Sequence, residues 1–424
     1  MRVKMTVAVA ALAVLALGLP ASAFADKTVK VDPGESIQTA IDAAKPGTTI
    51  EVGAGTYHES VLITKDDITL EGAGRKKTKI VPPENPVEGQ GCVFNFGPPS
   101  LFVSGVCVSG PDPNSACSNG PEVEDVTISD LTVADFKDGF GMFAFCAEDT
   151  TVTRVIGSNY GAYGIFANSS TGTTIARTVW GTDDPALTPE AGIYIGDSPN
   201  ADATVYKNVT YKNTLGIFIR DAVNGEVLKN KTFNNCAGIL FLNTDESTNQ
   251  PPTPQIDVAN WLAKRNNATG NNQSCSGGDE PPVSGIGIGV SGGVDIRVIN
   301  NNVFGNQPKE GSTPEFSGGI VVAEGSKGTR VGFNTALGNS TDLFTDGTGA
   351  DNTFFANDCL TSQPDGLCTD TVADDEGDGH DGADGDHGRS GGDHHGDKGK
   401  HSHKKNHAKR SRKHEDHPRV VHDD

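Results

Sequence analysis

Two aspartates and an arginine stand out once the chain is aligned on its own glycines. Runs of the form Gly-Φ-Φ-Φ, with Φ apolar or aromatic, begin at Gly141, Gly164, Gly192, Gly216 and Gly238, at spacings of 23, 28, 24 and 22 residues. Five positions after each glycine come Cys146, Ser169, Asp197, Asp221 and Asn243, and Arg220 immediately precedes Asp221. If the runs occupy equivalent places on successive coils, Asp197 and Asp221 are neighbours about 4.8 Å apart along the coil axis. Two carboxylates so placed repel unless they share a proton, a cation or an arginine. The spacing suits the paired carboxyls of a retaining glycoside hydrolase, about 5–5.5 Å apart, and equally a Ca²⁺ site. The plainer reading is that Asp and Asn end strands at turns.

The same alignment places Ile165, Ile193, Ile217 and Ile239 inward and their neighbours Phe166, Tyr194, Phe218 and Leu240 outward, with Phe143 extending the outer row. An exposed aromatic row is a platform on which sugar rings stack, unless an insertion folds over it. Two insertions border the same strand ends: Trp180 to Glu190, with Asp183 and Asp184, and Asn243 to Ser284, with Asp245, Glu246, Trp261 and Cys275. Long loops of this kind are commonly functional. Phe166, Tyr194, Phe218, Asn243, Asp183 and Asp184 are therefore the candidate substrate-binding residues, around Asp197, Arg220 and Asp221 as candidate catalytic residues. A separate column of cations, Arg154, Arg177, Lys207 and Lys229, with Arg297 as an extension, suits a polyanionic chain. It also reads as a solvated face of long side chains.

What must position these residues is a repeating scaffold. A second set of short runs trails the first by about a dozen residues, as in Thr174-Ile-Ala-Arg, Thr204-Val-Tyr-Lys and Glu226-Val-Leu-Lys, with Asn208, Asn213, Asn230, Asn234 and Asn235 between. Strands this short cannot bury a face alone. Stacked as coils, each pairs in parallel with the coils on either side, and apolar ladders fill the interior. Asn and Gly are expected at the corners, where positive φ costs them little. This predicts an all-β chain, a parallel β-helix. Near the start, Asp32-Pro33-Gly34 precedes Ile37, Ala40, Ile41 and Ala44, which share one helical face. Pro33 is placed in the first turn and Pro46-Gly47 at the end. Such a helix caps the open end of the coil stack.

Val31 to Gly74 resembles the amino-terminal cap of pectin-lyase-like right-handed β-helix proteins. The later coils are similar to the repeat family that includes the copper-maturation accessory protein of nitrous-oxide reductase. The resemblance spans roughly residues 29–358 and implies the right-handed fold. For activity it implies two classes: a polysaccharide lyase or glycoside hydrolase, or a non-catalytic envelope or metal-handling protein. A lyase of this scaffold uses an Arg or Lys base beside calcium-binding acids, the place Arg220 takes between Asp197 and Asp221. Polygalacturonases carry Asn-x-Asp, Asp-Asp and Gly-His-Gly; this chain has Asn243-Thr-Asp245 and Asp183-Asp184 in reverse order and no body histidine but His58. Asp197-Ser-Pro-Asn lacks the His of the Asp-Pro-His-Asp motif of mannuronan epimerases.

The ends of the chain and its cysteines set the compartment. Residues 1–25 read as an export signal: Arg2 and Lys4, an apolar run from Val7 to Leu19, then small residues at Ala21-Ser22-Ala23 and Ala23-Phe24-Ala25. A secreted, extracellular protein without a transmembrane anchor after cleavage is expected. The β-helix domain is placed at 26–370, where 22 basic residues face 42 acidic ones for a net charge of −20. That balance argues against nucleic acid as a partner of the body; a polysaccharide or cell-envelope glycan is the expected partner. Eight cysteines in an exported chain imply disulfides, and short loops favour Cys107–Cys117 and Cys359–Cys368, with Cys236–Cys275 as a staple. Residues 371–424 are rich in Asp, Gly, His and Lys and form a disordered tail. Its histidines, His394, His395, His401 and His403 among them, suit Cu²⁺, Zn²⁺ or Ni²⁺, or merely ride on a solubilising tail.

Overall fold

The computed structural model describes residues 27–95, 101–110, 117, 122–244, 256–276 and 282–368. The expected signal and tail, His394, His395, His401 and His403 included, lie outside them. The chain winds as a parallel β-helix with three strands in each full coil. Face I is built from strands such as Thr151–Thr153, Thr174–Ala176 and Ala203–Tyr206. Face II follows with Ile156–Ser158, Val179–Gly181 and Val209–Tyr211. Face III carries Tyr163–Asn168, Ala191–Ser198 and Ala237–Leu242. The long strand Leu215–Leu228 turns from face III into face I and joins both into one 22-stranded sheet, while face II is an 11-stranded sheet.

The register is the one the glycine alignment requires. Ile165, Ile193, Ile217, Ile239, Ile288, Ile320 and Leu343 pair in succession along face III, all buried in the interior. Each fully buried aliphatic side chain contributes about 1.5–3 kcal/mol of hydrophobic stabilisation. The glycine opening each run is needed for space. A Cβ at Gly216 would lie 2.5 Å from the Gly238 carbonyl oxygen and 2.9 Å from Asn235 Nδ2.

Asn235 belongs to one of two buried asparagine ladders. In the first, Asn208, Asn230, Asn266, Asn301 and Asn334 each donate a backbone N–H to the side-chain oxygen of the next coil's asparagine, ending at Asn357. The second runs Asn213, Asn235, Asn271, Asn306, Asn339 and closes on Asp342. These rungs satisfy backbone groups at corners where strand pairing stops, which burial would otherwise make costly. The expectation of positive φ holds for Asn234, at φ 55°, and is corrected for Asn208, Asn213, Asn230 and Asn235 in the ladders. Inward-facing Asn208 and Asn230 make the ladder, and the preceding Lys207 and Lys229 take φ 55°.

The capping helix is Ile37–Ala43, with Ile37 and Ile41 buried. Ser36, not Pro33, starts it, accepting from the Thr39 N–H, and the Glu59 carboxylate takes the N–H groups of Ile37 and Gln38. Lys65 Nζ donates to the carbonyls of Ile41, Asp42 and Ala44 at the other end. An anion at the N-terminus and a cation at the C-terminus both favour the helix.

Four disulfides staple the described residues: Cys92–Cys107, Cys117–Cys146, Cys236–Cys275 and Cys359–Cys368. The expected Cys107–Cys117 bridge does not form. Strand alternation turns Cys107 away from the interior between inward Val106 and Val108 and sets it against Cys92, while Cys117 meets Cys146 at the corner after face III. Within the expected insertion from Asn243 to Ser284, the described residues 256–271 form a regular coil. Ala259–Lys264 and Asn267–Thr269 join faces I and II, and Trp261 is buried inside. Trp180 likewise points into the interior from strand Val179–Gly181. Asp245 and Glu246 lie outside the described residues.

Candidate functional site

The site occupies the corner where face III turns toward face I. Gly196 pairs with Arg220 and Ser198 with Ala222, which sets Asp197 opposite Asp221 one coil on. Both aspartates adopt left-handed backbone, φ 50° and 46°, as do Cys146 and Ser169 in the same column. Short polar side chains reach that conformation at small cost, which is one reason Asp recurs here. Neither carboxylate stands open to water: Asp197 is 8% exposed and Asp221 4%.

Arg220 joins them. Its Nη2 donates to Asp197 Oδ1 at 3.3 Å, and its Nε lies 3.3 Å from Asp221 Oδ2. Asp197 Oδ2 also accepts from Asn168 Nδ2 and from the Tyr194 hydroxyl at 3.2 Å. Asp221 accepts the Thr244 N–H at 2.7 Å and the Thr244 hydroxyl. Gly196 makes the tyrosine contact possible, because a Cβ there would lie 2.1 Å from the Tyr194 hydroxyl oxygen. The Tyr194 ring in turn lies under the guanidinium, 6.0 Å from ring centroid to Cζ.

Burial pushes the Asp221 carboxyl above the ordinary carboxylate value and Asp197 adds to the rise, against the lowering pull of Thr244 and Arg220. Burial, then the Asp197 charge, raises the Tyr194 phenol, so it stays protonated and donates. Burial disfavours the Arg220 charge, but Tyr194, Asp197 and Asp221 together hold it above the ordinary guanidinium value. The arrangement can retain a proton on one carboxyl while keeping its neighbour paired to a cation. Arg220 supplies the positive charge between the aspartates that a bound Ca²⁺ would have supplied, so the pair does not fit that ion. Among the described residues no three His, Cys, Asp or Glu side chains gather into a metal site.

The outer row has the expected register but not the expected exposure. Phe143, Phe166, Tyr194, Phe218 and Leu240 pair in order. Tyr194 is 1% exposed and Phe218 4%, so the row is no open platform. Its rings stack on each other, Phe166 on Tyr194 at 4.6 Å and Phe140 on Phe166 at 4.8 Å. They form a second apolar cluster outside the coil, with Leu215, Ile286 and Val321. Tyr194 remains part of the site through its hydroxyl on Asp197 and its ring face beneath Arg220.

Asp183 and Asp184 sit elsewhere. They precede strand Ala191–Ser198, and Asp197 follows most of it, a separation of roughly 20 Å along the strand. Asp183 pairs with Lys212 at 2.8 Å and Asp184 with Lys137 at 2.6 Å. Asn243 closes the far side of the column, donating to Asp257 at 3.1 Å. Sequence reasoning missed Asn168, whose place in the pairing register offered a signal, and Thr244, which offered none.

A family model described as "Right handed beta helix region" matches residues 112–250 and 147–359, together more than half of the chain. The chain belongs to the right-handed β-helix family. This β-helix protein is similar in fold to the A-module of the Azotobacter vinelandii mannuronan C-5 epimerase AlgE6, with a TM-score of 0.52 and 18% identity over 77% of this chain and 90% of that one. The A-module of AlgE4 from the same organism gives a TM-score of 0.50 and 18% identity over 77% of this chain and 91% of that one. No curated protein matches the sequence.

Proposed function

We propose that this β-helix protein acts outside the cytoplasm on acidic polysaccharide, binding it at the corner formed by Asp197, Arg220 and Asp221. The observation that carries the reading is two carboxyls one coil apart in unlike surroundings. Asp221 is held toward its protonated form by burial, and Asp197 is paired to Arg220 and Tyr194. Environments that separate two carboxyls in this way suit acid–base cleavage of a glycosidic bond. Asp221 gives its proton to the leaving oxygen as the glycosidic bond breaks, and Asp197 bonds to the anomeric carbon from the other side. Water then releases Asp197 and returns a proton to Asp221, while Arg220 receives the sugar's own acid. Four disulfides fit an oxidising compartment. No helix among the described residues is long and apolar enough to cross a membrane. The mannuronan epimerase modules that share the winding are named for a polyuronate.

The experiment is a screen of the purified protein against polyuronates, reading reducing ends and unsaturated products. Reducing ends without unsaturation, abolished in Asp221→Asn and Asp197→Asn, are expected. Unsaturated products would point to elimination in place of hydrolysis and overturn the assignment of Asp221 as proton donor. The absence of both turnover and retention on every glycan would overturn the proposal. The competing reading, a metal-handling envelope protein similar to the copper-maturation family, depends on His394, His395, His401 and His403. Cu²⁺ binding by the whole chain with no glycan retention would favour it.

A further inference from the structure

A second surface, at the corner between faces I and II, is unlike the rest of this acidic molecule. On five successive coils the residue at that corner is a cation: Arg154, Arg177, Lys207, Lys229 and Arg265. The backbone hydrogen bonds set the order, Arg154 N–H to Ala176 O, Arg177 to Tyr206, Lys207 to Leu228, Lys229 to Lys264 and Arg265 to Ile299. Arg265 thus continues the column, and Arg297, the extension expected from sequence, instead lies within face I opposite Leu262. All five side chains are exposed, while the residue after each faces inward and is buried.

Two features set this column apart from an ordinary solvated face. First, the column is left largely unneutralised, although some other cations of this protein meet an acid, as in Lys79–Asp135, Lys137–Asp184 and Lys212–Asp183. In the column only Arg154 does so, pairing with Asp130 on the coil before it. Among the described residues no carboxylate comes within ion-pair distance of Arg177, Lys207, Lys229 or Arg265, although acids outnumber bases almost two to one in residues 26–370. Like charges in register on neighbouring strands repel, so the column is kept at a cost to the fold. Second, all five cations stand in left-handed backbone, φ 54–57°. Asn or Gly adopts that conformation more cheaply than Arg or Lys, and Asn300 takes the same corner on the coil after Arg265, at φ 57°. The corner therefore does not need a cation for its shape.

We propose that Arg177, Lys207, Lys229 and Arg265 form a track that binds an extended acidic glycan along the axis of the β-helix, apart from the Arg220 corner and without dependence on it. Cations repeat once per coil, about 4.8 Å apart. A polyuronate carries one carboxylate per sugar ring and can meet such a row residue by residue. Duplex nucleic acid is the poorer match, with one charge per roughly 1.7 Å of axis, and the body's net −20 repels so dense a polyanion. Tyr206 adds an apolar ring beside the track, with Lys207 Nζ 5.1 Å and Lys229 Nζ 5.4 Å from its centroid. The lysines draw its phenol below the ordinary tyrosine value, the Lys207 hydrogen bond contributing most.

The test uses the full chain carrying Arg177→Asn, Lys207→Asn, Lys229→Asn and Arg265→Asn together, titrated with polygalacturonate at low and moderate salt. Asparagine suits the left-handed corner, so thermal stability should be kept or raised. Affinity for polygalacturonate should fall by at least about tenfold, with a shallower salt dependence, while neutral dextran binds neither protein. The fourfold change should cost the same factor in affinity whether Asp197 and Asp221 are present or replaced by asparagine, which separates this proposal from the corner site. Unchanged affinity in the fourfold variant would overturn it, as would duplex DNA binding the wild type as tightly as polygalacturonate at equal salt.

Discussion

Asp221 stands one coil on from Asp197, and each carboxylate meets the same Arg220 at 3.3 Å. The two acids are tolerated side by side in a nearly closed corner because a guanidinium is fixed between them. Tyr194, Asn168 and Thr244 take up the remaining carboxylate oxygens. The pairing of the coils, rather than any local motif, assembles this group.

Removing Arg220 should therefore be severe. Arg220→Ala leaves two adjacent buried carboxylates without their cation, and breaking a buried pair in this way costs about 3–5 kcal/mol. Urea denaturation measures it. Adding Asp197→Asn and Asp221→Asn to the same background should recover much of the loss. An Arg220→Ala protein as stable as wild type would show that the pairing carries no energy.

The raised Asp221 value fixes the sign of a pH effect. Its folded carboxyl binds a proton more readily than the unfolded one, so its contribution to stability falls as pH rises from about 3.9. Wild type should gain stability relative to Asp221→Asn as the solution is acidified through that window, and lose it on returning to neutrality. Carboxyl-carbon NMR titration reads the same quantity directly. A midpoint at or below the ordinary aspartate value would contradict it.

The asparagine ladders should be far more sensitive than their surface counterparts. Asn266 accepts from Asn230 N–H and Nδ2 at 2.9 and 3.0 Å and donates to Val227 O and Asn301 Oδ1 at 2.8 and 3.0 Å. Asn266→Ala strands several buried polar groups at about 1–3 kcal/mol each. Asn200→Ala, which loses only an exposed bond from Asn224, should change stability by less than about 0.5 kcal/mol. Equal effects from the two would contradict the ladder account.

Non-reducing peptide mapping checks the outer staples. Peptides joining Cys92 to Cys107 and Cys117 to Cys146 are expected. A Cys107–Cys117 peptide would mean that the strand carrying Cys107 has slipped by one residue, turning that side chain to the other face.

How much of this was legible in the sequence differs by residue. The Gly192 and Gly216 runs, one coil apart, carry their own register, so the stacking of Asp197 near Asp221 followed from counting. The outward direction of Phe166, Tyr194 and Phe218 followed from alternation. Their cover did not, because it comes from the residues before each glycine, Phe140 against Phe166 and Tyr163 against Tyr194, and alternation reports a side chain's direction, not what packs against it. Thr244 escaped for the same reason: it reaches Asp221 from the coil that follows, through a turn with no repeating signature. The corner conformations were assigned by residue preference to Asn208 and Asn230. The ladder's demand for inward amides overrode that preference and moved positive φ to Lys207 and Lys229.

The most direct test of the central claim is calorimetric titration of the whole chain with polygalacturonate, comparing wild type with Asp197→Asn/Asp221→Asn in the fourfold asparagine background that silences the basic track. Binding retained in that background, and lost when Asp197 and Asp221 are changed, is the expected result. Identical heats with the two aspartates present or replaced would contradict the assignment of the Arg220 corner as the glycan site.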